Sequence, residues 1–413
     1  MSEQTPEQQG AQEPAAEQQA APPRKRHRLR TTLIVIGTVL VLLVGGSYVA
    51  AAVMHVPAPH TLAQLEVAPP SMWGKYFPYR TVETGTTIEL ESAPATMPET
   101  VPWQGEQIPF DEFLSTTSTN SFVVLQDGKL AYEWYGDGYD DTTRQSSFSM
   151  AKSLVSLLVG QAIARGELSE DDTIAEVLPD YATGTAYDDV TVRELLDMTA
   201  GVDVSEVYNQ YWPFTGTSLM YLTTDLPGFV KDHRTVDYEP GTKGVYRSVD
   251  TEILGLMLAQ VTGKNLTELL TEGVWQPVGA EETARWNLDT DGGVEKAFAA
   301  VNATARDFAR VGQMVLDDGK VGDQQVVPTE WITRIKTPAP LPVDGWQYSA
   351  QWWHPPGGDG KELSMLGVYG QYTYVNPTTG TVIVKLSDTT EADEDEEDVY
   401  GVLRAVAADV SAQ

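Results

Sequence analysis

The longest apolar run of the chain lies near its N-terminus. The 24 residues from Thr31 to Met54 contain no charged side chain, and five basic residues between Arg24 and Arg30 precede them. As a helix this run would rise ~36 Å, which is enough to cross a ~30 Å hydrocarbon core. The pattern predicts a single transmembrane helix at 31–54, with the short N-terminal segment in the cytoplasm and the bulk of the chain outside. A cleaved signal peptide is the alternative, but its apolar region would run only ~7–15 residues.

The segments on either side of this run show no sustained apolar period. Residues 1–23 are rich in Gln, Glu, Ala and Pro and cannot offset the entropy cost of ordering, so we expect 1–30 to be a disordered tail. Residues 55–109 contain many prolines and scattered aromatic side chains, which we interpret as a juxtamembrane arm that packs on the domain. The folded domain is then predicted to cover 110–413.

Short β-forming runs bracket a long helical pattern within 110–413. Ser121–Leu125 and Lys129–Tyr135 flank an Asp127-Gly128 pair, which is favourable for a tight hairpin turn. A helical pattern with loops follows from Ser149 to about Asp318. Three strand patterns and a last helical pattern come after it: Gln347–Trp353, Val368–Val375, Thr381–Leu386 and Tyr400–Val410. The order predicts an α+β fold, in which one antiparallel sheet is assembled from both ends of the domain and the inserted helical region leans against one edge.

Composition and missing motifs exclude several classes of function. The formal charge of −32 repels phosphate backbones, so nucleic acid is not an expected partner. The chain has no cysteine, which excludes thiolate nucleophiles and thiolate-bound metals, and it has no G-x-S-x-G, H-E-x-x-H or phosphate-loop motif. Outside the region of the apolar run, only His233 and His354 are available to a histidine triad. Asp289–Gly292 is interpreted as a turn and the acidic run Glu391–Asp398 as an exposed loop; no metal and no cofactor are predicted.

The remaining candidate for chemistry is Ser149-Met150-Ala151-Lys152. Lys152 is the only one of the 12 lysines that has a serine three residues before it. The helix that follows is apolar on nearly all sides and is therefore expected to be buried, which desolvates Lys152 and favours its neutral amine. At a spacing of three residues the amine can accept the proton of the Ser149 hydroxyl. The alternative is a buried lysine paired with a carboxylate.

The ends of this helix also carry recognisable signals. Ser146 or Ser147 can cap its N-terminus, and Gly166 suits its exit. Free N–H groups at the N-terminus would then point to the Ser149 region and favour an oxyanion there.

Several phrases of the sequence, taken together, resemble one superfamily. Ser149–Lys152, then Leu195–Val202 (LLDMTAGV) and then Pro240–Ser248 (PGTKGVYRS) resemble, in order and spacing, the serine β-lactamases and penicillin-binding proteins. Within that superfamily, the chain is most similar to class-C-like carboxylesterases and 6-aminohexanoate-dimer hydrolases. Further matches are Trp275–Gly279, Ala305–Arg310 and Gly367–Gln371. The likeness covers roughly residues 110–410 and implies a β-lactamase/transpeptidase-like fold.

The resemblance implies a role for each matching residue. Ser149 would be the nucleophile and Lys152 its base, while Tyr246 would share the proton relay and protonate the leaving group. The backbone N–H groups of Ser149 and Val368 would form the oxyanion hole. Tyr208, Ser248, Gly367 and Tyr369 would contact the substrate.

Four places in the sequence need separate comment. Many relatives have Asn where this chain has Ser248, whose hydroxyl can still hydrogen-bond the lysine or the substrate. Met365 stands where β-lactamases and cell-wall peptidases have the Lys of an edge-strand Lys-Thr-Gly motif, so carboxylate recognition and true β-lactamase or carboxypeptidase activity become less favoured. Tyr211 and Trp212, beside Tyr208, either belong to a lid over the pocket or simply pack; we interpret Trp352-Trp353 as core.

The sequence therefore predicts a membrane-anchored, extracytoplasmic serine hydrolase. It would cleave ester or amide bonds in a small or peptide-like substrate through an acyl-enzyme, without a cofactor. The alternative hypothesis, motivated by Met365 and Ser248, is a catalytically inactive relative that binds cell-wall peptide or a partner protein. No oligomeric state is predicted.

Overall fold

The computed structural model describes residue 10 and residues 26–208, 213–389 and 395–413. It divides into two compact units, Met1–Ala50 and Ala51–Gln413. The helix α1 (Arg26–Val53) begins in the first unit, and its segment Arg30–Val53 is long and apolar enough to cross a membrane. Residues 1–25 of the predicted tail 1–30 lie outside the described residues, apart from Gly10, whereas its last five residues, 26–30, belong to α1 and are not disordered as predicted.

The second unit contains most of the regular structure. Its helices are α2 (Pro59–Val67), α3 (Phe110–Thr116), α4 (Met150–Ala164), α5 (Ile174–Val177), α6 (Val192–Leu196), α7 (Gly216–Leu222), α8 (Leu226–Asp232), α9 (Ser248–Thr262), α10 (Leu266–Leu270), α11 (Ala305–Leu316), α12 (Thr329–Lys336) and α13 (Glu396–Ser411). Short 3-10 helices span Pro70–Tyr76 and Pro179–Tyr181, and a π-helical turn spans Thr271–Trp275.

Its strands form two larger and two small antiparallel sheets. The strands are β1 (Tyr79–Val82), β2 (Thr100–Trp103), β3 (Glu106–Pro109), β4 (Thr119–Gln126), β5 (Lys129–Tyr135), β6 (Gln145–Ser146), β7 (Ala284–Asn287), β8 (Val301–Ala303), β9 (Lys320–Val321), β10 (Gln324–Gln325), β11 (Gln347–Ser349), β12 (Trp352–His354), β13 (Leu363–Gly367), β14 (Gln371–Asn376) and β15 (Thr381–Ser387). The orders are β11-β12-β13-β14-β15-β4-β5, β1-β7-β8-β6, β10-β9 and β2-β3.

The seven-stranded sheet confirms the predicted assembly from both ends of the domain. The N-terminal strand β4 pairs with β15, the last strand, with Val124 opposite Ile383. The predicted hairpin is also present: β4 and β5 are joined by Asp127 and Gly128, which both have positive φ, at 49° and 78°. A two-residue turn with this geometry matches the twist of the strands it joins.

Alternation along β4 divides the core into two layers. Val123 and Leu125 point to the cluster that contains the apolar residues of α4, α6, α9 and α11, whereas Phe122 and Val124 join the cluster with α3 and α13. The helical region therefore covers a face of the sheet, whereas the sequence pattern had placed it against an edge. The reason is that both faces of the central strands are apolar, so each needs a helical layer.

Three element predictions need correction. The run 347–353 forms two strands, β11 and β12, because Ala350 and Gln351 adopt positive φ and turn the chain. The run 368–375 begins with the turn between β13 and β14, so its strand starts only at Gln371. The acidic run 391–398 is helical from Glu396 onward, with Asp395 capping α13, while 391–394 lie outside the described residues.

The arm 55–109 contains more regular structure than its sequence pattern indicates. It includes α2, the 3-10 helix Pro70–Tyr76 and three short strands, of which β1 pairs with β7 and extends the four-stranded sheet. β6, at the other edge of that sheet, leads into Ser149 through two residues. The sheet thus links the arm to the start of α4.

Candidate active site

Ser149 stands at the point where β6 passes into the buried helix α4. It is the N-cap residue of α4, with φ −67° and ψ −8°, and its side chain makes no capping hydrogen bond. The predicted caps were wrong: Ser146 belongs to β6, and the Ser147 hydroxyl donates to the Phe148 carbonyl and accepts from Val301 N. The Ser149 hydroxyl is thereby left for other partners.

The far end of α4 follows the prediction. Gly166 has φ 71°, and its N–H donates to Ile163 O at 2.9 Å, while Glu167 N–H donates to Ala162 O at 3.0 Å. A glycine suits this left-handed position because it has no Cβ to strain.

Lys152 lies one turn into α4 and reaches back to Ser149. Its Nζ lies 2.9 Å from Ser149 Oγ and donates to Phe298 O at 2.8 Å, and the residue is only 1% exposed. Burial lowers the pKa of Lys152 to about 7, although the charges of Glu206, Asp250 and Glu252 act in the opposite direction. At neutral pH a large fraction of this amine is therefore unprotonated and able to accept the hydroxyl proton.

Tyr246 approaches the same two groups from the segment before α9. Lys152 Nζ lies 4.9 Å from the centre of its ring, and the Ser149 side chain acts on the phenol to lower its pKa. The Trp353 ring stacks on the Tyr246 ring, with the two centres 5.5 Å apart and the planes 28° apart. Burial raises the pKa of Tyr246 well above 10, and Glu206 adds to the rise, so at neutral pH the phenol retains its proton and can donate it.

The C-terminal end of β13 forms the wall opposite Ser149. A Cβ on Gly367 would lie 2.4 Å from Ser147 O, so only glycine allows the strand to come this close to the segment before Ser149. The next residue, Val368, lines the same cavity as Ser149. Neither backbone N–H donates to a protein acceptor within the residues that the structure describes. Two free N–H groups beside a hydroxyl nucleophile suit the stabilisation of an oxyanion.

These groups open into a cavity of about 450 Å³. The described residues that line it are Ser149, Glu206, Tyr208, Tyr246, Asp344, Trp346, Trp353, Leu366, Gly367, Val368, Tyr369, Gly370, Tyr372, Thr389 and Glu396. Six of the eight predicted site residues therefore line this cavity. Lys152 does not line it but contacts Ser149 from the protein interior, and Ser248 does not line it either. Tyr211 and Trp212 lie outside the described residues.

Ser248 does not line the cavity because Glu206 stands between the two. The Ser248 hydroxyl donates to Glu206 Oε1 at 2.6 Å and its N–H donates to Oε2 at 2.9 Å. Thr217 and Tyr208 donate their hydroxyls to the same carboxylate, at 2.7 and 3.0 Å. The structure therefore directs Ser248 to Glu206 and not to Lys152, and Glu206 is the charge that reaches the site.

Sequence reasoning gave no site role to nine of the described lining residues, among them three acidic and two tryptophan side chains. These five are Glu206, Asp344, Trp346, Trp353 and Glu396. Only Trp353 had a usable signal: neighbours on a strand face opposite sides, so one residue of a Trp-Trp pair must leave the core. Trp352 is fully buried as predicted, but Trp353 lines the cavity.

Two further sequence observations are clarified by the structure. Met365 is fully buried in the layer of α4, and its strand β13 is not an edge strand, since β12 pairs with it at Trp353 and Ser364. His354 faces Ile335 O with Nε2 at 3.0 Å, and His233 stacks on Phe229 at 4.1 Å. Neither histidine is among the described residues that line the cavity.

The chain has relatives among known proteins. The sequence profile of the Beta-lactamase family matches residues 117–408. The 6-aminohexanoate-dimer hydrolase of Paenarthrobacter ureafaciens is 29% identical over 324 residues, which cover 73% of this chain and 80% of that protein.

Solved structures show the same fold. A Bacillus anthracis protein, provisionally assigned as a 6-aminohexanoate-dimer hydrolase, superposes with a TM-score of 0.72 at 24% identity, over 83% of this chain and 92% of its own. A family VIII carboxylesterase superposes with a TM-score of 0.58 at 16% identity, over 72% of this chain and 95% of its own. The predicted α+β class is confirmed.

Proposed function

Because this chain belongs to the Beta-lactamase family, we propose that it is a serine hydrolase that cleaves ester or amide bonds through an acyl-enzyme on Ser149. The observation that carries the proposal is the 2.9 Å contact between Lys152 Nζ and Ser149 Oγ at the wall of an open cavity. The buried amine beside the hydroxyl supplies the base, and no histidine is needed.

The first half of the reaction forms the acyl-enzyme. Ser149 Oγ attacks the carbonyl carbon while its proton passes to the neutral amine of Lys152, and the carbonyl oxygen becomes an oxyanion between the N–H groups of Ser149 and Val368. As the bond to the leaving group breaks, the Tyr246 phenol gives its proton to the departing oxygen or nitrogen. The Lys152 ammonium then returns a proton to Tyr246.

The second half repeats the sequence with water. The neutral amine of Lys152 accepts the proton of the attacking water through the Tyr246 phenol, which gives its own proton to the amine as it takes the new one; the carbonyl carbon becomes tetrahedral again, and the bond to Ser149 Oγ breaks as the Lys152 ammonium gives a proton to that oxygen. Ser149 recovers its proton, and the acid product leaves. Each half of the reaction uses the same two N–H groups.

The cavity favours substrates whose bound part carries no carboxylate. Three carboxylates, those of Glu206, Asp344 and Glu396, line it, and none of its described lining residues is Lys or Arg. Met365, where relatives have a cationic side chain, is fully buried. We therefore place neutral esters and amides, including linear amides of the aminohexanoate type, ahead of penicillins and peptides with a free C-terminus.

Localisation forms a separate part of the proposal. The apolar segment Arg30–Val53 would anchor the chain in the cell membrane, and the basic residues around Arg24–Arg30 would keep the short tail inside. The hydrolase domain would then act outside the cytoplasm. Protease protection of intact cells, with a tag at either end, tests this orientation.

The decisive experiment is covalent labelling of the protein and its Ser149→Ala variant. A fluorophosphonate should add one adduct to the intact mass, and peptide mapping should place that adduct on Ser149. Turnover of p-nitrophenyl butyrate and of 6-aminohexanoate dimer should be lost in the variant. An unlabelled protein, with equal ester turnover before and after substitution, would instead favour a binding protein without catalysis.

A further inference from the structure

Two residues beside the candidate oxyanion hole have strained backbones. Phe148, directly before Ser149, has φ 43°, and Tyr369, directly after Val368, has φ 67°. Bulky residues such as Phe and Tyr rarely adopt positive φ, because their Cβ then lies too close to the backbone. They keep it only when surrounding contacts hold them in that conformation. Because each strained residue adjoins one of the two N–H donors, the orientation of both donors depends on whatever holds these two side chains.

The contact that holds them comes from outside the family-matched region. Trp73 packs edge-on against both rings, at 5.9 Å and 76° from Phe148 and at 5.5 Å and 70° from Tyr369. The rings of Phe148 and Tyr369 also meet each other, at 5.0 Å. Tyr221 also packs on Trp73 and Phe148, at 6.2 and 6.3 Å, but it is Trp73 that contacts both strained residues and so bridges the two sides of the candidate oxyanion hole.

Trp73 is itself fixed to the body of the domain. It belongs to the 3-10 helix Pro70–Tyr76, and its Nε1–H donates to Ala68 O at 3.1 Å. Two residues earlier, Ser71 is bound by the Asp388 carboxylate at the end of β15, through its N–H at 2.6 Å and its hydroxyl at 2.9 Å. These hydrogen bonds hold the Trp73 ring in place against the domain.

From this geometry we propose that Trp73 is a positioning residue for the oxyanion hole, so that the arm before the family-matched residues 117–408 is part of the catalytic unit. The inference rests on the function proposed above. Trp73 does not reach the reacting atoms; it acts by keeping Phe148 and Tyr369 in positive φ. Without the ring, both backbones can relax toward negative φ, which turns the N–H groups of Ser149 and Val368 away from the oxyanion.

The test uses the full-length protein in detergent, with Trp73→Ala and Trp73→Phe. Since an oxyanion donor matters in the transition state, Trp73→Ala should lower kcat for p-nitrophenyl butyrate on the order of 10- to 100-fold, with KM changed less than about threefold. Affinity for phenylboronic acid, which forms a tetrahedral adduct on a serine, should fall by a similar factor. Trp73→Phe keeps an aromatic edge and should recover most of kcat.

A matched control separates positioning from general packing. Trp103 makes an edge contact with Phe113 at 5.2 Å in the layer of α13, and neither residue is among the described residues that line the cavity. Trp103→Ala should lower the melting temperature and leave kcat per folded molecule unchanged.

Two results would overturn the inference. In the first, Trp73→Ala keeps kcat and boronate affinity within twofold of the unaltered protein. In the second, Trp73→Ala and Trp103→Ala each lose activity only in proportion to the fraction of protein that is unfolded. A parent protein that neither turns over esters nor labels at Ser149 would instead refute the proposed function, and the role of Trp73 would fall with it.

Discussion

Two buried lysines in the helical half of the domain, Lys152 and Lys296, differ in their surroundings, and the difference explains why we propose a catalytic role for Lys152 alone. Both are fully enclosed, and burial lowers the pKa of each, to about 7 for Lys152 and about 8 for Lys296. Lys296 donates to Tyr221 O and lies over the rings of Phe77 and Tyr221. Lys152 instead divides its contacts between a carbonyl and the Ser149 hydroxyl. Desolvation alone does not make a catalytic base; a nucleophile within reach and an open cavity are also required.

Substituting each of the two lysines should give the largest difference in kcat/KM between a residue of the site and a structural one. Lys152→Ala removes the base, and since a positioned base contributes roughly 10²–10⁴-fold, we expect kcat/KM to fall about 1,000-fold with the fold intact. Lys296→Met should leave kcat/KM within about twofold and cost about 1–3 kcal/mol of unfolding free energy, because Tyr221 O loses its donor. Ester kinetics and urea unfolding measure the two effects. Equal activity losses in both variants would contradict the assignment.

Substituting one glycine at the cavity wall and one in α13 by alanine should affect kcat very differently. Gly367→Ala introduces a Cβ that would lie 2.4 Å from Ser147 O, which forces β13 away from the nucleophile. We expect kcat to fall about 100-fold, the effect of losing one oxyanion donor. Gly401 lies in α13, where an added Cβ would meet no atom within 4 Å, so Gly401→Ala should keep kcat and gain about 0.5–1 kcal/mol of stability. Unchanged kcat in Gly367→Ala would place the oxyanion hole elsewhere.

The pH dependence of kcat/KM tests which of the two amines controls the reaction. Lys152 must be neutral to accept a proton, and burial holds its pKa at about 7. Activity should therefore be constant above pH 7 and fall about tenfold per pH unit below it as the amine becomes protonated. The Lys296→Met variant should show the same fall of kcat/KM below pH 7, which we call the acidic limb of the pH profile. A limb that is absent, or that disappears in Lys296→Met, would contradict the role of Lys152.

The smallest expected effect concerns the carboxylate nearest the site. The charge of Glu206 raises the pKa of Lys152, so Glu206→Gln should move the acidic limb to lower pH, by less than about one unit. Asp344→Asn is the control: Asp344 lines the cavity, yet it is not among the charges that act on Lys152, and the limb should stay in place. A limb that shifts upward in Glu206→Gln would reverse the assigned electrostatics.

Local patterns predicted the elements that are decided by local interactions. The Asp127-Gly128 pair predicted the hairpin of β4 and β5. The apolar run Leu154–Ala164 predicted both the helix α4 and the burial of Lys152. These features depend on turn chemistry and on apolar periodicity, which are visible in a single sequence.

The rest of the site depends on long-range contacts that no local pattern encodes. Glu206 reaches the cavity because Ser248, 42 residues later, holds its carboxylate. Trp73 meets Phe148 and Tyr369 although both lie far from it in the sequence, and its segment carries too many prolines for a periodic signal. The burial of Met365 likewise follows from the position of β13 against α4. The roles of Ser149, Lys152 and Tyr246 remain predictions that the geometry supports.

The most direct test of the central claim is the pKa of the Lys152 amine in the folded protein. Lysine labelled with ¹³C at Cε gives one NMR signal for each of the 12 lysines, and the spectra of Lys152→Ala and Lys296→Met assign the two buried ones. The account predicts that the Lys152 signal titrates near pH 7, while exposed lysines titrate at about 10.4. A Lys152 signal that titrates with the exposed lysines would contradict it.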